Sequence, residues 1–434
     1  MVRAVRHISS NISDDGYICA ATDYDLYKTM WFRDSAFISS ALSYAGKYLS
    51  ESLSETEREA GRLAKVSSER IIGRLWSTIH NYSGSMRNAI SIPYENPDLK
   101  MLKNHVPSRF GRDGNLTYVD LGNGKVLDDR AEADNPNSWI KQFDSVPLAI
   151  YATYEFVKHF GAEQIGEETR SIIKDNLGLA TDYMIKVYKT PCADAWEQNP
   201  HMLHSYSIAA VFMGLRLSLG IADALGVSLD RARIEGEIER DDGLKRFINR
   251  LFVHDGVLIK SREELSSQDS VVKEVDSDAY MVFAIFDPEM ELLDRSVHEK
   301  TIEMLAQNEV FTSADGSEVY RDPIPRRYIG DRYFGGGAWP LLGAIKAYLY
   351  VREAKLELAD NVISYIERMV SGSQFMIPEQ EPLEESILNP VREGVYDTPG
   401  KRPACDLLWS AAEYLRACTA YFELADRISL IRKG

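Results

Sequence analysis

Asp194-Ala195-Trp196-Glu197-Gln198 sets a carboxyl group beside a large indole, on a segment that follows Pro191-Cys192 and lies between two strongly helical stretches. An indole wall can desolvate a carboxyl and raise its pKa, which is what a general acid working near neutrality needs. The second carboxylate candidate is Glu379, in Ile377-Pro378-Glu379-Gln380-Glu381. Two carboxyls in different surroundings are the requirement for paired acid and base work. Each has a plainer alternative. Glu197 would otherwise be a surface residue next to a packed indole, and Glu379 part of a solvated acidic turn with Glu381, Glu384 and Glu385.

Around Tyr27-Lys28-Thr29-Met30-Trp31-Phe32-Arg33-Asp34-Ser35, an adjacent cation and anion fall at a predicted helix N-terminus. Asp34 there either caps backbone N–H groups or, with Arg33, forms a fork for vicinal hydroxyls, to which a planar guanidinium and a carboxylate are suited. Arg327-Tyr328-Ile329-Gly330-Asp331-Arg332-Tyr333-Phe334-Gly335-Gly336-Gly337-Ala338-Trp339 mixes basic, aromatic and glycine residues ahead of an apolar helix, and Trp139, Gln142 and Asp144 precede another. Aromatic faces among charged donors and acceptors match a sugar ring, with its apolar C–H faces and hydroxyl rim. A phosphate nest is the other use for such glycines, but no GxxxxGK[ST] run is present and the surroundings are acidic.

The elements that must position these residues are helices. Apolar residues recur at three- and four-residue spacing with little sustained period-two alternation, predicting helices near 34–48, 54–79, 143–159, 163–187, 201–224, 228–250, 276–285, 292–306, 338–354, 355–371, 405–421 and 422–432. Linkers within pairs are short and carry a breaker, as at Phe160-Gly161-Ala162, so neighbours are expected to run antiparallel. Linkers between pairs are long (80–138, 188–200, 251–275, 307–337 and 372–404) and hold the candidate residues. Ile208 to Met213 and Tyr280 to Phe286 lack a polar face, whereas 54–79 and 355–371 carry charged stripes. Apolar inner helices inside amphipathic outer ones predict an all-α fold, an (α/α)6 barrel over 1–434 with long active-site loops on one face. No Ser/Pro-rich or charge-block linker divides the chain.

With 50 basic and 66 acidic residues among 434, the net charge is −16, a field that repels phosphate backbones and anionic lipid heads. Nucleic-acid and membrane partners are therefore not expected. The first residues show no apolar core with a cleavage site, so a soluble, cytoplasmic protein is expected. Cys19, Cys192, Cys405 and Cys418 lack CxxC spacing, which predicts buried, reduced thiols rather than a zinc site or disulfide framework.

Taken together, the motifs resemble glycoside hydrolase family 15, the glucoamylase-like enzymes, from Asn11 through Trp409. They occur in family order: Tyr27 with Trp31-x-Arg33-Asp34, Gln142-x-Asp144 after Trp139, Asp194-x-Trp196-Glu197, and Val275-Asp276-Ser277. Then come Arg327-Tyr328-x-x-Asp331-x-Tyr333-x-Gly335-Gly336, Pro378-Glu379-Gln380, and Leu407-x-Trp409-Ser410-x-Ala412-Glu413-Tyr414. The resemblance implies an (α/α)6 enzyme that removes glucose from the non-reducing end of α-glucosides with inversion. It implies Glu197 as general acid and Glu379 as general base. Tyr27, Arg33, Asp34 and Arg327 would hold the glucose, and Trp139, Trp196 and Trp339 would wall the pocket, with Trp31, Gln198 and Asp331 also on the substrate side. A short oligosaccharide is the expected partner, with no cofactor or metal, no amino-terminal β-sandwich and no starch-binding module. Gln198 replaces a carboxylate common in the family, Gly337-Ala338-Trp339 replaces G-N-P-W, and Ser410-Ala411-Ala412 lacks the usual histidine. Linkage thus stays open among maltooligosaccharides, isomaltose or dextran, and trehalose. A sugar-binding barrel without catalysis and a phosphorolytic barrel enzyme are the readings from other classes; the presence of both carboxylates opposes the first, and Glu379 opposes the second.

Overall fold

A computed structural model of the protein describes residues 1–24, 27–93, 105–116, 118–120, 126–129, 138–263, 271–272, 275–312, 319–370, 375–381 and 402–433. Glu384, Glu385 and most of the 372–404 linker lie outside the described residues. Six helices close an inner ring: α2 (Phe32–Ser50), α5 (Ser145–Phe160), α7 (Ser205–Leu225), α10 (Ala279–Met281, continued by a π-helical turn over Val282–Phe286), α12 (Pro340–Arg352) and α14 (Leu408–Lys433). Each touches the next, and α14 returns to α2. Outside them lie α1 (Val2–Ser10), α3 (Glu55–Asn81), α4 (Ser83–Ser91), α6 (Glu167–Val187), α8 (Arg231–Glu239), α9 (Leu244–Phe252), α11 (Arg295–Leu305) and α13 (Leu356–Met369).

Local chemistry accounts for several boundaries. Glu167 and Glu168 occupy the positive N-terminal turn of α6, Pro340 opens α12 where its missing N–H costs nothing, and Gly226 ends α7 in the left-handed conformation at φ 66°. The α2–α3 crossing depends on two glycines. A Cβ on Gly61 would lie 2.9 Å from the Gly46 carbonyl and 2.7 Å from the Ser50 amide nitrogen, so the helices approach backbone to backbone. Helix α7 is apolar and long enough by composition to cross a membrane, but here it is an inner barrel helix, largely buried.

Five features differ from the sequence-based expectation. The 405–421 and 422–432 segments form one continuous helix, and 228–250 is broken into α8 and α9 at Arg240–Gly243, where Gly243 N–H reaches the Arg240 carbonyl. Helices α1 and α4 occupy segments with no predicted helix, each a short amphipathic turn sequence below the length at which periodicity registers. The long linkers carry antiparallel ribbons, Val253–His254 with Val257–Leu258, Val310–Thr312 with Val319–Arg321, and Leu203–His204 with Ser261–Arg262 and Val271–Val272. Strands of two or three residues leave no readable alternation. Of the cysteines, Cys192 and Cys418 are buried but Cys19 and Cys405 are half-buried; all four are free thiols.

Phe37 of α2 packs inside the ring of inner helices, stacked on Trp409 with centroids 5.0 Å apart and with the Tyr151 and Phe286 centroids at 6.2 and 6.3 Å. A polar crosslink also crosses this core. Arg416 of α14 pairs with Glu413 at 2.8 Å and donates to the Tyr151 hydroxyl at 2.8 Å and to Ser40 Oγ at 2.6 Å, with every partner buried. Removing one member of a buried pair leaves the other charge unsatisfied, at a cost of about 3–5 kcal/mol. Arg416→Leu is therefore expected to lower denaturant-melt stability by that amount, and the double variant with Glu413→Leu to recover most of it.

Candidate active site

The candidate residues share one address: they flank the N-termini of the six inner helices. Arg33 and Asp34 open α2, Asp144 immediately precedes α5, Asp194–Gln198 leads to α7, Asp276–Asp278 to α10, and Arg327–Trp339 to α12. Glu379 is remote in sequence from α14 but is laced to its approach, because Glu379 N–H donates to the Ala404 carbonyl at 2.9 Å and Leu407 N–H to the Ile377 carbonyl at 2.9 Å. Helix N-termini carry partial positive charge, so this end of the barrel favours carboxylates.

Asp194 builds the turn that carries Glu197. Its Oδ1 accepts from the Trp196 and Gln198 N–H groups, both at 2.8 Å, and Glu197 N–H donates to the Asp194 carbonyl at 3.2 Å. Glu197 is thereby held at φ 61° and Asn199 at φ 49°, a left-handed backbone that non-glycine residues adopt only when surroundings compel it. The Trp196 indole N–H is clamped on both oxygens of Asp276, at 2.9 and 3.1 Å. Glu197 keeps 31% of its side chain exposed, and burial of the rest pushes its carboxyl above the usual range, against the pull of Arg33.

Arg33 is the crosslink at the centre. Its Nε donates to Asp144 at 2.6 Å and its Nη1 to the Ala195 carbonyl at 2.5 Å and to Glu197 at 3.1 Å, while Nη2 donates to the Gln142 side-chain oxygen. Burial opposes its charge, but Asp144, Tyr206 and Glu197 together outweigh that and hold the guanidinium above its ordinary pKa. Beside it, Asp34 occupies the first turn of α2 and is 7% exposed. The N-cap position of that helix is Trp31, which makes no side-chain capping bond, and the Asp34 carboxyl accepts from its own backbone N–H. Burial, reinforced by Glu197 and Glu379, pushes the Asp34 carboxyl up to about 7 against the attraction of Arg33.

Glu379 is 3% exposed. Its Oε1 accepts from the Tyr27 hydroxyl at 2.9 Å and the Tyr333 hydroxyl at 3.2 Å, and Oε2 from Ala404 N–H at 3.3 Å. Burial pushes its carboxyl up to about 7, while those donors favour the ionised form. Arg327 bears on both Glu197 and Glu379, lowering each. It is locked to Asp331 by two bonds, 2.8 and 2.6 Å, and its guanidinium lies 4.8–5.6 Å from the centroids of Tyr333, Trp339, Trp196 and Tyr328. Trp196 and Trp339 adjoin at 5.4 Å, and Trp31 and Trp139 form a second aromatic pair at 5.7 Å. Gln198 accepts from the Tyr328 hydroxyl at 2.9 Å.

The structure thus gathers all the sequence-derived candidates at one end of the barrel. Several further residues carry no motif. Arg109, paired with buried Asp129, lies 5.2 and 4.6 Å from the centroids of Trp31 and Trp139; a lone Arg in an irregular linker gives no signal. Lys260 forms ion pairs with Asp194 at 3.1 Å and Asp276 at 2.8 Å, again from a linker without pattern. Of the Glu379 partners, Tyr333 is legible only as part of a longer motif, and Ala404 carries no signal in the sequence. Among the described residues, no group of three or more His, Cys, Asp or Glu side chains is arranged to hold a metal ion.

No protein-family model matches the chain, and no curated protein matches it. Solved structures do. A wild-type glycosidase superimposes with a TM-score of 0.71 at 20% identity, covering 96% of this chain and 96% of that one. A bacterial glucoamylase complexed with acarbose gives 0.61 at 15% identity over 97% of this chain and 55% of that one. The Hormoconis resinae glucoamylase gives 0.61 at 15% over 98% and 73%. These likenesses define the class of architecture: the chain has the (α/α)6-barrel fold of the glucoamylase-type structures.

The two uses of Asp34 separate by pH. A carboxyl whose folded pKa is raised from 3.8 to about 7 binds its proton more tightly in the folded state, so its contribution to stability falls as pH rises through that window. Asp34→Asn removes this loss. Its melting temperature is expected to exceed wild type by roughly 2–4 °C above pH 7 and to converge with it near pH 4. A capping carboxylate would give the opposite sign at neutral pH.

Proposed function

We propose that the protein is a glycoside hydrolase, specifically an inverting, exo-acting enzyme that releases β-glucose from the non-reducing end of short α-glucans. The observation that carries this reading is the pair Glu197 and Glu379. Both carboxyls are pushed up by burial, yet Glu197 is gripped by a guanidinium and part-exposed, while Glu379 is enclosed by two tyrosine hydroxyls and a backbone N–H. Sequence resemblance to the glucoamylase-like family and the fold shared with glycosidases, one of them a variant in complex with glucose, support it.

In this reading Glu197 protonates the departing glycosidic oxygen. Glu379 takes a proton from water attacking the opposite face, and Tyr27 and Tyr333 hold its carboxylate ready. Such chemistry needs carboxyls about 6.5–9.5 Å apart to leave room for the water. Arg327, Asp34 and the Trp31, Trp139, Trp196 and Trp339 faces hold the terminal sugar, while Arg33 acts on it chiefly by fixing Glu197. Glu381 is a poor alternative base, because its carboxyl accepts from Tyr365 at 3.0 Å beside Asp322 rather than facing Tyr27. A trehalase or an isomaltose/dextran-type glucosidase would use the same pair. Phosphate-free assays on maltose, isomaltose and trehalose distinguish the three, and no glucose release from any α-glucoside would sink the proposal.

Anomeric analysis gives the sharper test. Proton NMR on fresh substrate is expected to show β-glucose first; initial α-glucose would require a double displacement with carboxyls about 5–5.5 Å apart and would overturn the inverting assignment. Glu197→Gln is expected to lose about 10²–10⁴-fold on disaccharides while keeping activity on glucosyl fluoride, whose leaving group needs little protonation. Glu379→Ala should abolish β-release, and added azide should restore turnover; unchanged release would move the base elsewhere.

A further inference from the structure

Lys260 is not among the groups that face the candidate substrate site, and its side chain is only 2% exposed. Its ammonium nonetheless meets the acid-bearing turn from three directions. It lies 3.1 Å from Asp194, whose Oδ1 ties down the Trp196 and Gln198 N–H groups. At 2.8 Å it meets Asp276, whose carboxylate clamps the Trp196 indole. It also sits over the Tyr328 ring, 4.2 Å from the centroid, and that tyrosine's hydroxyl donates to Gln198. Asp194, Trp196 and Gln198 thus each reach Lys260 directly or through one partner, and Glu197 stands among them in left-handed backbone.

We infer that Lys260 is a positioning residue for the general acid: by pairing with Asp194 and Asp276 beneath the turn, it holds Glu197 in place as the proton donor. The inference rests on Glu197 being that acid. Asp194 is buried, which favours its neutral form, and Lys260 is the largest opposing influence, holding it below the usual carboxylate range with help from His204 and backbone N–H groups. Ionised Asp194 in turn raises the pKa of Glu197. The other charged groups bearing on Glu197 are Arg33 and Arg327, which lower it, and the Asp34 carboxyl nearby. Around Lys260 stand Asp194, Asp276, Tyr328 and Asp278; burial and then Asp276 push the Asp278 carboxyl up. Without Lys260, Asp194 takes up a proton, its field on Glu197 disappears, and the acid ionises at lower pH.

The test uses Lys260→Met and Lys260→Arg in the full chain, with kcat–pH profiles on an α-linked disaccharide and on glucosyl fluoride. Lys260→Met is expected to lose about tenfold or more in kcat on the disaccharide, with glucosyl fluoride within about threefold of wild type. Its alkaline limb, which reports the acid in the substrate complex, should fall by about half a pH unit or more, and Lys260→Arg should restore the limb. Equal losses on both substrates with an unmoved limb would show a purely structural role and overturn the inference. If Lys260→Met does not fold, Asp194→Asn carries the test: a lowered alkaline limb is expected, and an unmoved one overturns it. A wild-type enzyme inactive on every glucoside sinks the hydrolase reading, whereas an active wild type with unaffected variants sinks only the role of Lys260.

Discussion

A buried guanidinium has to be paired on every side that water has left, and Arg33 meets that demand by joining its own segment to two others. Its partners Gln142 and Asp144 precede α5, Ala195 and Glu197 precede α7, and Arg33 itself opens α2. Once this charge is buried, the ends of three inner helices have one relative arrangement, because any other leaves a cation in an apolar interior. The candidate proton donor is thereby registered against the barrel rather than left on a free loop.

The two carboxyls at the heart of the site owe their different characters to different neighbours. Burial raises both, but Glu197 faces a cation that moderates the effect and retains contact with solvent, whereas Glu379 is enclosed and its charge is supported by hydroxyls and one backbone N–H. Asp34, buried and within the field of both, has a raised pKa of its own. Three carboxyls converging at one end of the barrel destabilise the folded state as they ionise, and Arg33, Arg327 and the N-termini of the inner helices are what make the concentration tolerable.

Strain and support coincide in the acid turn. Left-handed backbone at Glu197 and Asn199 persists only where the surroundings over-determine it, and here they do: Asp194 binds both flanking N–H groups, Asp276 fixes the Trp196 indole, and Arg33 holds the Ala195 carbonyl. Lys260 lies under all of this as the counter-charge for two of the carboxylates. A single buried lysine takes the role that a bound cation could fill elsewhere, which links the backbone conformation of the turn to the ionisation of its foundations.

Helical periodicity made the barrel legible, since apolar inner and striped outer helices follow from side-chain spacing alone, and contiguous runs such as Asp194–Gln198 and Arg327–Trp339 announced the site because their residues act close to one another in the chain. Asp34 shows where that reading stops: adjacent Arg and Asp at a helix start permit a cap or a hydroxyl fork, and only the packed structure shows a buried carboxyl with a raised pKa. Likewise the pairing of Glu379 with Ala404 and Tyr27, of Arg33 with Gln142, and of Lys260 with Asp194 and Asp276 joins residues far apart in sequence. Periodicity and motifs record interactions within a few residues; burial and charge pairing depend on which distant segments meet, and closure of the six-helix ring decides that.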